Sequence, residues 1–244
     1  MSRSEHMEQA NFEEARKAEE QYHSKLYSEK EILEPGTWMS EPIPVVMELQ
    51  ERLLQLKKDL VIMDLGSGAG RNTIPLALRL KGSDSKVIGI DLLDEAVDKL
   101  RENAAEYGVN AIVEAQKGDA EHTNFGSDEY DYIIACGCLE HVSSEEAFVQ
   151  VLERMKQGTR LGGIHCIAMN TNVQEVEMDS GKEVKTLIEL NLSSTRAIEI
   201  LEQVYQDWNV LDQKTVLQSI EEEKYEVPTE FRAQSLTFAV QRIK

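Results

Sequence analysis

Three aspartates stand where an apolar, strand-like run gives way to a turn. Asp64 follows Val61-Ile62-Met63, Asp91 follows Val87-Ile88-Gly89-Ile90, and Asp119 follows the run Ala111–Ala115 and Gly118. Open α/β sheets bind ligands beyond the carboxyl ends of their strands, so carboxylates at successive strand ends would share one pocket. In an empty pocket they repel one another. A ligand rich in hydroxyl or amino donors, or carrying positive charge, relieves that repulsion. Between the first two lies Gly66-Ser67-Gly68-Ala69-Gly70. Glycines reach positive φ and let a ligand approach bare main chain. A helical pattern starts at Arg71, and the N–H groups of a helix start favour a carboxylate or phosphate. The spacing is D-x-G-x-G-x-G. It is not the dinucleotide pattern G-x-G-x-x-G, whose third glycine would fall at Arg71.

Strands must carry these aspartates, and the pattern supplies them. Val61–Met63 reads as a buried parallel strand, followed by a helix through Ile74, Leu76, Ala77, Leu78 and Leu80. A second strand over Val87–Ile90 leads to a helix over Asp94–Tyr107 with Gly108 as its C-cap. Ala111–Ala115 is a short third strand and Tyr130–Cys136 a fourth. Ser143 or Ser144 caps a helix through Phe148, Val151, Leu152 and Met155. Gly162-Gly163 leads into a fifth strand, Ile164–Met169. Such alternation implies an α/β, doubly wound, mostly parallel sheet. Ser193-Ser194-Thr195 starts a further helix to about Tyr205. Two strands then follow without a helix between them, Trp208–Leu217 and Leu236–Arg242, separated by an acidic loop over Glu221–Glu230. They form a C-terminal antiparallel hairpin.

Ahead of the first strand, residues 1–58 form an N-terminal helical cap of the same domain. It comprises an amphipathic helix from residue 5 to about 30, a turn at Glu34-Pro35-Gly36, and a second helix entered through Pro42 and Pro44. Residues 59–244 make up the binding domain. The polar stretch of about 170–192 is read as an insert beside the pocket, with a short strand over Val184–Leu190.

The order and spacing of these features resemble the class I S-adenosylmethionine (SAM) methyltransferases, whose fold is a seven-stranded Rossmann-like sheet ending in an antiparallel hairpin. The resemblance covers about residues 60–170 and, more loosely, the hairpin. It implies SAM as cofactor. Gly66, Ser67 and Gly68 would line its methionine part, with Asp64 near the ammonium. Asp91 would accept from the ribose hydroxyls, and Leu92 would pack on the adenine. Asp119 would take the adenine amine with the Ala120 backbone beside it, and Cys136 would lie near the methyl-donor channel. Gly70-Arg71-Asn72 and the ending Leu236–Arg242 resemble the tellurite-resistance methyltransferase branch in part, and Asn72 joins the cofactor-binding set. The cap is longer than that branch suggests and the stretch 170–192 differs, so no metalloid substrate is assigned.

The acceptor pocket falls to residues 1–45 and 170–195. Tyr27 and Trp38, with Tyr22, are placed to close it from the cap. His141 and Asn170 follow the fourth and fifth strands, and His141 is the candidate base. Cys136, Cys138 and His141 form C-x-C-x-x-H, which is not the spacing of a zinc pair and has no second pair, so no metal is expected. The net charge of −19 comes with no basic stripe, which argues against nucleic acid or an anionic membrane as partner. No apolar run reaches the ~18 residues of a membrane span. An N-terminus without an apolar core and only three cysteines fit a cytoplasmic protein.

The expected function is methyl transfer from SAM to a small molecule by a monomer or homodimer. The alternatives are a non-catalytic SAM-binding module and a nicotinamide-dependent oxidoreductase. The second is favoured by Asp91 and disfavoured by the glycine spacing and the terminal hairpin.

Overall fold

A computed structural model describes residues 3–222 and 227–244; residues 223–226 of the acidic stretch lie outside the described residues. The elements run α1 (Arg3–Glu29), α2 (Pro44–Leu54), β1 (Val61–Leu65), α3 (Thr73–Arg79), β2 (Lys86–Asp91), α4 (Asp94–Glu106), β3 (Val113–Lys117), β4 (Tyr130–Cys136), α5 (Glu145–Gly158), β5 (Thr159–Glu177), β6 (Glu183–Val184), α6 (Ser194–Val204), β7 (Asn209–Glu222) and β8 (Thr229–Gln241). The sheet order is β3-β2-β1-β4-β5-β8-β7, with β6 paired to β5 off this path. Strands β1 to β5 pair in parallel. β8 enters antiparallel between β5 and β7.

The parallel half is held by strands buried on both faces. Ile62, Met63 and Leu65 of β1 and Tyr132 to Ala135 of β4 are buried, as continuous apolar runs require when helices cover both sides. One core lies under α5 and α6; the other joins α2, α3 and α4 to the opposite face. Caps fix the helix starts. Ser144 accepts from the Ala147 N–H and Ser193 from the Arg196 N–H, each removing an unpaired donor from the first turn.

The largest departure from the sequence reading lies past Met169. Residues 170–177 are not an inserted loop: they continue β5, which runs for 19 residues. Thr171, Val173 and Glu175 are buried in alternation with exposed Asn172 and Gln174, the period of a one-sided strand. β8 begins at Thr229 and β7 extends to Glu222, so both ends of the acidic loop, Glu221-Glu222 and Thr229-Glu230, are strand. Together β5, β7 and β8 project an antiparallel arm beyond the tips of the parallel strands. The short strand expected over Val184–Leu190 is confined to Glu183–Val184, because only Glu175 and Val176 offer it a partner. β3 lies two residues later than expected, at Val113–Lys117.

Candidate active site

The arm, the parallel strand tips and α1 enclose a cavity of about 390 Å³. Its floor is the turn after β1. Gly66 has φ +72° and Gly68 φ +53°, so both hold the left-handed conformation that glycine alone adopts without strain. Neither position has space for a side chain. A Cβ on Gly66 would lie 2.4 Å from Cys138 Cβ, and one on Gly68 would lie 2.6 Å from the Tyr27 hydroxyl. The Gly66 and Ser67 N–H groups both donate to the Ile90 carbonyl, tying the turn to β2. Ser67 Oγ is buried without a hydrogen-bond partner.

Asp91, at the tip of β2, is fixed by main chain. Its Oδ2 accepts from the Gly68 N–H at 2.8 Å and its Oδ1 from the Leu93 N–H at 3.0 Å. Burial raises its pKa, while these bonds and the nearby His23 pull it down. A carboxylate has about four lone-pair sites, so two remain for a ligand. Leu92 beside it is exposed at the cavity. At the tip of β3, Asp119 Oδ1 accepts from the Glu121 N–H, and its Oδ2 pairs with Arg16 at 3.1 Å. Ala120 and Cys136 also line the cavity.

Asp64 is the exception among the three aspartates. It is fully buried and lies outside the cavity wall, where its Oδ2 accepts from the Thr73 hydroxyl at 2.6 Å. Its side chain turns under the glycine turn into the start of α3. Burial raises its pKa to about 7, against the lowering effect of Thr73. Asp91 and Asp119 therefore share the cavity and Asp64 supports it from beneath. Asn72 lines the cavity, and its Oδ1 accepts from the Ile43 N–H at 3.0 Å, which joins the turn to the start of α2.

The residues expected on the acceptor side, Tyr27, Trp38, His141 and Asn170, line the same cavity with Tyr22 and His23. His23 stacks on Tyr27 at 5.5 Å and meets Trp38 edge-on at 6.1 Å. His141 Nδ1 lies 2.7 Å from Glu189 Oε2. Burial would lower the His141 pKa, but the Glu189 hydrogen bond and the charges of Glu19, Glu140 and Glu189 outweigh it and carry the pKa up to about 9. His141 is thus an imidazolium at neutral pH, a poor proton acceptor.

Two groups at this wall, Arg16 and Glu189, escaped sequence reasoning, whereas Glu140, beside His141, was expected to face the pocket or bond to backbone. Arg16 donates to Asp119 and to the His141 carbonyl, each at 3.1 Å, and approaches Glu189 at 3.8 Å. Glu140 is buried on the turn after β4. Glu189 comes from the irregular segment after β6. One arginine in a helix of mixed charges carries no signal, and Glu189 sat in the stretch read as an insert.

The thiols do not converge on a metal. Cys138 Sγ donates to the Leu65 carbonyl at 3.1 Å, while Cys136 Sγ is directed toward the Cys166 carbonyl. Among the described residues no cluster of His, Cys, Asp or Glu could hold a metal ion, and no helix is long and apolar enough to cross a membrane.

A family model described as a methyltransferase domain matches residues 62–163. Residues 62–163 form a methyltransferase domain. The match begins in β1 and ends at the entry to β5, so it contains the glycine turn and the tips bearing Asp91 and Asp119. The chain is similar over 139 residues, at 25% identity, to 2-methyl-6-phytyl-1,4-hydroquinone methyltransferase 2 of Oryza sativa subsp. japonica, covering 56% of this chain and 36% of that one. It is similar over 120 residues, at 28% identity, to arsenite methyltransferase of Halobacterium salinarum, covering 48% and 30%. The chain thus spans about a third of the length of these curated relatives.

Among solved structures, a SAM-dependent methyltransferase from Methanosarcina mazei superposes with a TM-score of 0.59 at 14% identity, covering 83% of this chain and 99% of that one. TehB from Haemophilus influenzae superposes with a TM-score of 0.59 at 19% identity, covering 91% and 66%. At these identities the likeness is one of fold. The family match and the antiparallel β8–β7 ending displace the nicotinamide alternative. The site's geometry fits SAM, the cofactor expected from the sequence. The narrow glycine turn, the two unfilled lone pairs of Asp91 and the unpartnered Ser67 hydroxyl suit its donors, and the volume falls in the usual range for small-molecule sites.

Proposed function

We propose that the protein transfers a methyl group from SAM to a small organic acceptor bound between α1, the tip of β4 and the antiparallel arm. The observation that carries this reading is the continuity of the cavity. One wall system runs from Gly66–Gly68 and Asp91 to Asn170, Val173 and Phe231, so a nucleoside site and a second site share one enclosed space. When bound, SAM supplies an electrophilic methyl group that needs little further activation. The chain's own residues then have to align two ligands and exclude water.

On this reading Gly66, Ser67 and Gly68 hold the methionine part, Asp91 the ribose, and Leu92, Asp119 and Ala120 the adenine. Tyr27 covers Gly68 from α1 and shields that end from solvent. Tyr27, Trp38 and Asn170 flank the acceptor. His141 acts through its ion pair, which holds Glu189 and indirectly Arg16 in place, and not as a base. The net charge of −19 supports a small molecule over nucleic acid as acceptor.

Calorimetry with SAM and with NADH tests the cofactor. Release of S-adenosylhomocysteine against small thiols, amines, phenols and oxyanions tests turnover. Binding of SAM with turnover of one acceptor class is the expected result. NADH binding without SAM binding ends the reading, and SAM binding without any turnover reduces the protein to a binding module.

A further inference from the structure

The acceptor end of the cavity is acidic and aromatic at once. Glu140 is 1% exposed and forms part of the wall. Its Oε1 accepts from the Asn170 N–H at 3.0 Å, whereas its Oε2 is buried with no hydrogen-bond partner. A buried carboxylate oxygen without a donor is costly, so this atom marks a place where a donor is missing. The cations of the wall are committed elsewhere. Arg16 serves Asp119 and the His141 carbonyl, His141 serves Glu189, and Arg71 donates to the Glu41 carbonyl and covers the Trp38 ring. Burial holds the Glu140 carboxyl above the usual range, with His141 and the Asn170 bond pulling it back only in part.

The surroundings suit a cation with an apolar body. Tyr22, His23, Tyr27 and Trp38 present a cluster of rings, and aromatic faces attract ammonium groups. Glu19 and Glu20 of α1 and Glu175 of β5 add carboxylates to the wall. Val173, Ile188 and Phe231 pack together as a separate apolar cluster on the arm. A thiolate or an oxyanion would bring like charge to Glu140 and supply no donor.

We infer that the acceptor is a small organic amine that enters as its ammonium, with an N–H donating to Glu140 Oε2 and its apolar body against Val173, Ile188 and Phe231. That proton passes to the Glu140 carboxylate, and the freed nitrogen lone pair takes the methyl as the methyl–sulfonium bond of SAM breaks. S-adenosylhomocysteine and the N-methylammonium leave while Glu140 returns its proton to solvent. The inference rests on the cavity holding an acceptor beside SAM, and it adds the chemical class of that acceptor.

The test titrates protein saturated with S-adenosylhomocysteine, so that the nucleoside site is filled, with phenethylamine, 2-phenylethanol and phenylacetate. The amine is expected to bind about tenfold or more tightly than the alcohol, and phenylacetate to give no heat of binding. Glu140→Gln keeps a carbonyl oxygen for the Asn170 N–H; it should bring amine and alcohol within about threefold of each other and leave S-adenosylhomocysteine affinity unchanged. Equal binding of amine and alcohol, preference for phenylacetate, no amine binding at millimolar concentration, or an amine preference untouched by Glu140→Gln overturns the inference. If that variant does not fold, the three probes on the unmodified protein decide alone. The two readings separate cleanly. Failure of S-adenosylhomocysteine binding with the amine preference intact removes the methyl-transfer reading and the acceptor role with it, leaving an amine-binding site at Glu140. Nucleoside binding without amine preference removes the amine only.

Discussion

The two ends of the cavity are built by different means. At the proposed nucleoside end the lining is main chain and short carboxylates, placed by the tips of β1, β2 and β3. At the acceptor end they are long side chains from α1, the turn after β4, the arm and the irregular segment around Glu189, tied together by ion pairs. The first end tolerates almost no change in shape. The second is assembled from side chains that can be exchanged while the backbone stays. A scaffold of this kind keeps its donor site fixed and varies its acceptor.

The most severe way to probe the rigid end is Gly66→Ala. The φ of +72° costs an L-residue about 1–2 kcal/mol, and the new methyl would press on Cys138 Cβ. Moving that cysteine adds about 1–3 kcal/mol of overpacking. The expected outcome is loss of measurable SAM binding by calorimetry with a lowered melting temperature. Retained affinity would mean that the turn does not touch the ligand.

Asp64 and Asp91 sharpen the contrast within that end, since both close a parallel strand and only one faces the cavity. Asp64 has a pKa of about 7 in the fold against 3.8 as its ordinary value. Between those pH values the folded state binds more protons than the unfolded state, so this group lowers stability as pH rises from about 4 to 7. A gap of that size corresponds to as much as about 4 kcal/mol. Asp64→Asn removes the titration and keeps an acceptor for the Thr73 hydroxyl. Its stability relative to the unmodified protein should therefore climb across that window and level off above it, in denaturant titrations at several pH values. SAM affinity should stay the same.

Asp91→Ala should act the other way. Stripping the carboxylate leaves the Gly68 and Leu93 N–H groups without their acceptor and removes the proposed ribose contact, a loss of about 1–3 kcal/mol in SAM binding. Equal affinity in Asp91→Ala and the unmodified protein, measured by calorimetry, would detach Asp91 from the ligand.

The same division decides what could be read from the chain alone. β4 was legible to the residue, since Tyr130–Cys136 is apolar but for Asp131, and the three glycines fixed the turn. Asp64 looked equivalent to Asp91 because a strand-end aspartate has the same neighbours in sequence whether it turns outward or under the turn; Thr73, nine residues on, decides between them. The arm was harder. Thr171 to Glu175 alternates buried and exposed, yet the buried positions include Thr171 and Glu175, so the period of 2 is written in burial and not in hydrophobicity. Its partner strand lies about 60 residues away, at Thr229–Ser235, beyond any local signal. Arg16 and Glu189 meet only through that folded arrangement.

The smallest expected effect tests the exchangeable end. Arg16 joins α1 to Asp119, His141 and Glu189 with a side chain 28% exposed. Partly exposed pairs of this kind contribute at most about 1 kcal/mol, and salt weakens them. Arg16→Ala should leave the melting temperature within a few degrees, because the cores under the sheet do not involve it. The change should appear in α1 itself. Amide hydrogen exchange over residues 12–29 should speed up in the variant at low salt. In the unmodified protein, added salt should bring the same segment toward the variant's rate, while β1 and β4 stay protected. Exchange over α1 that ignores both the substitution and the salt would show that its packing on α4, and not the ion pairs, holds this helix over the cavity.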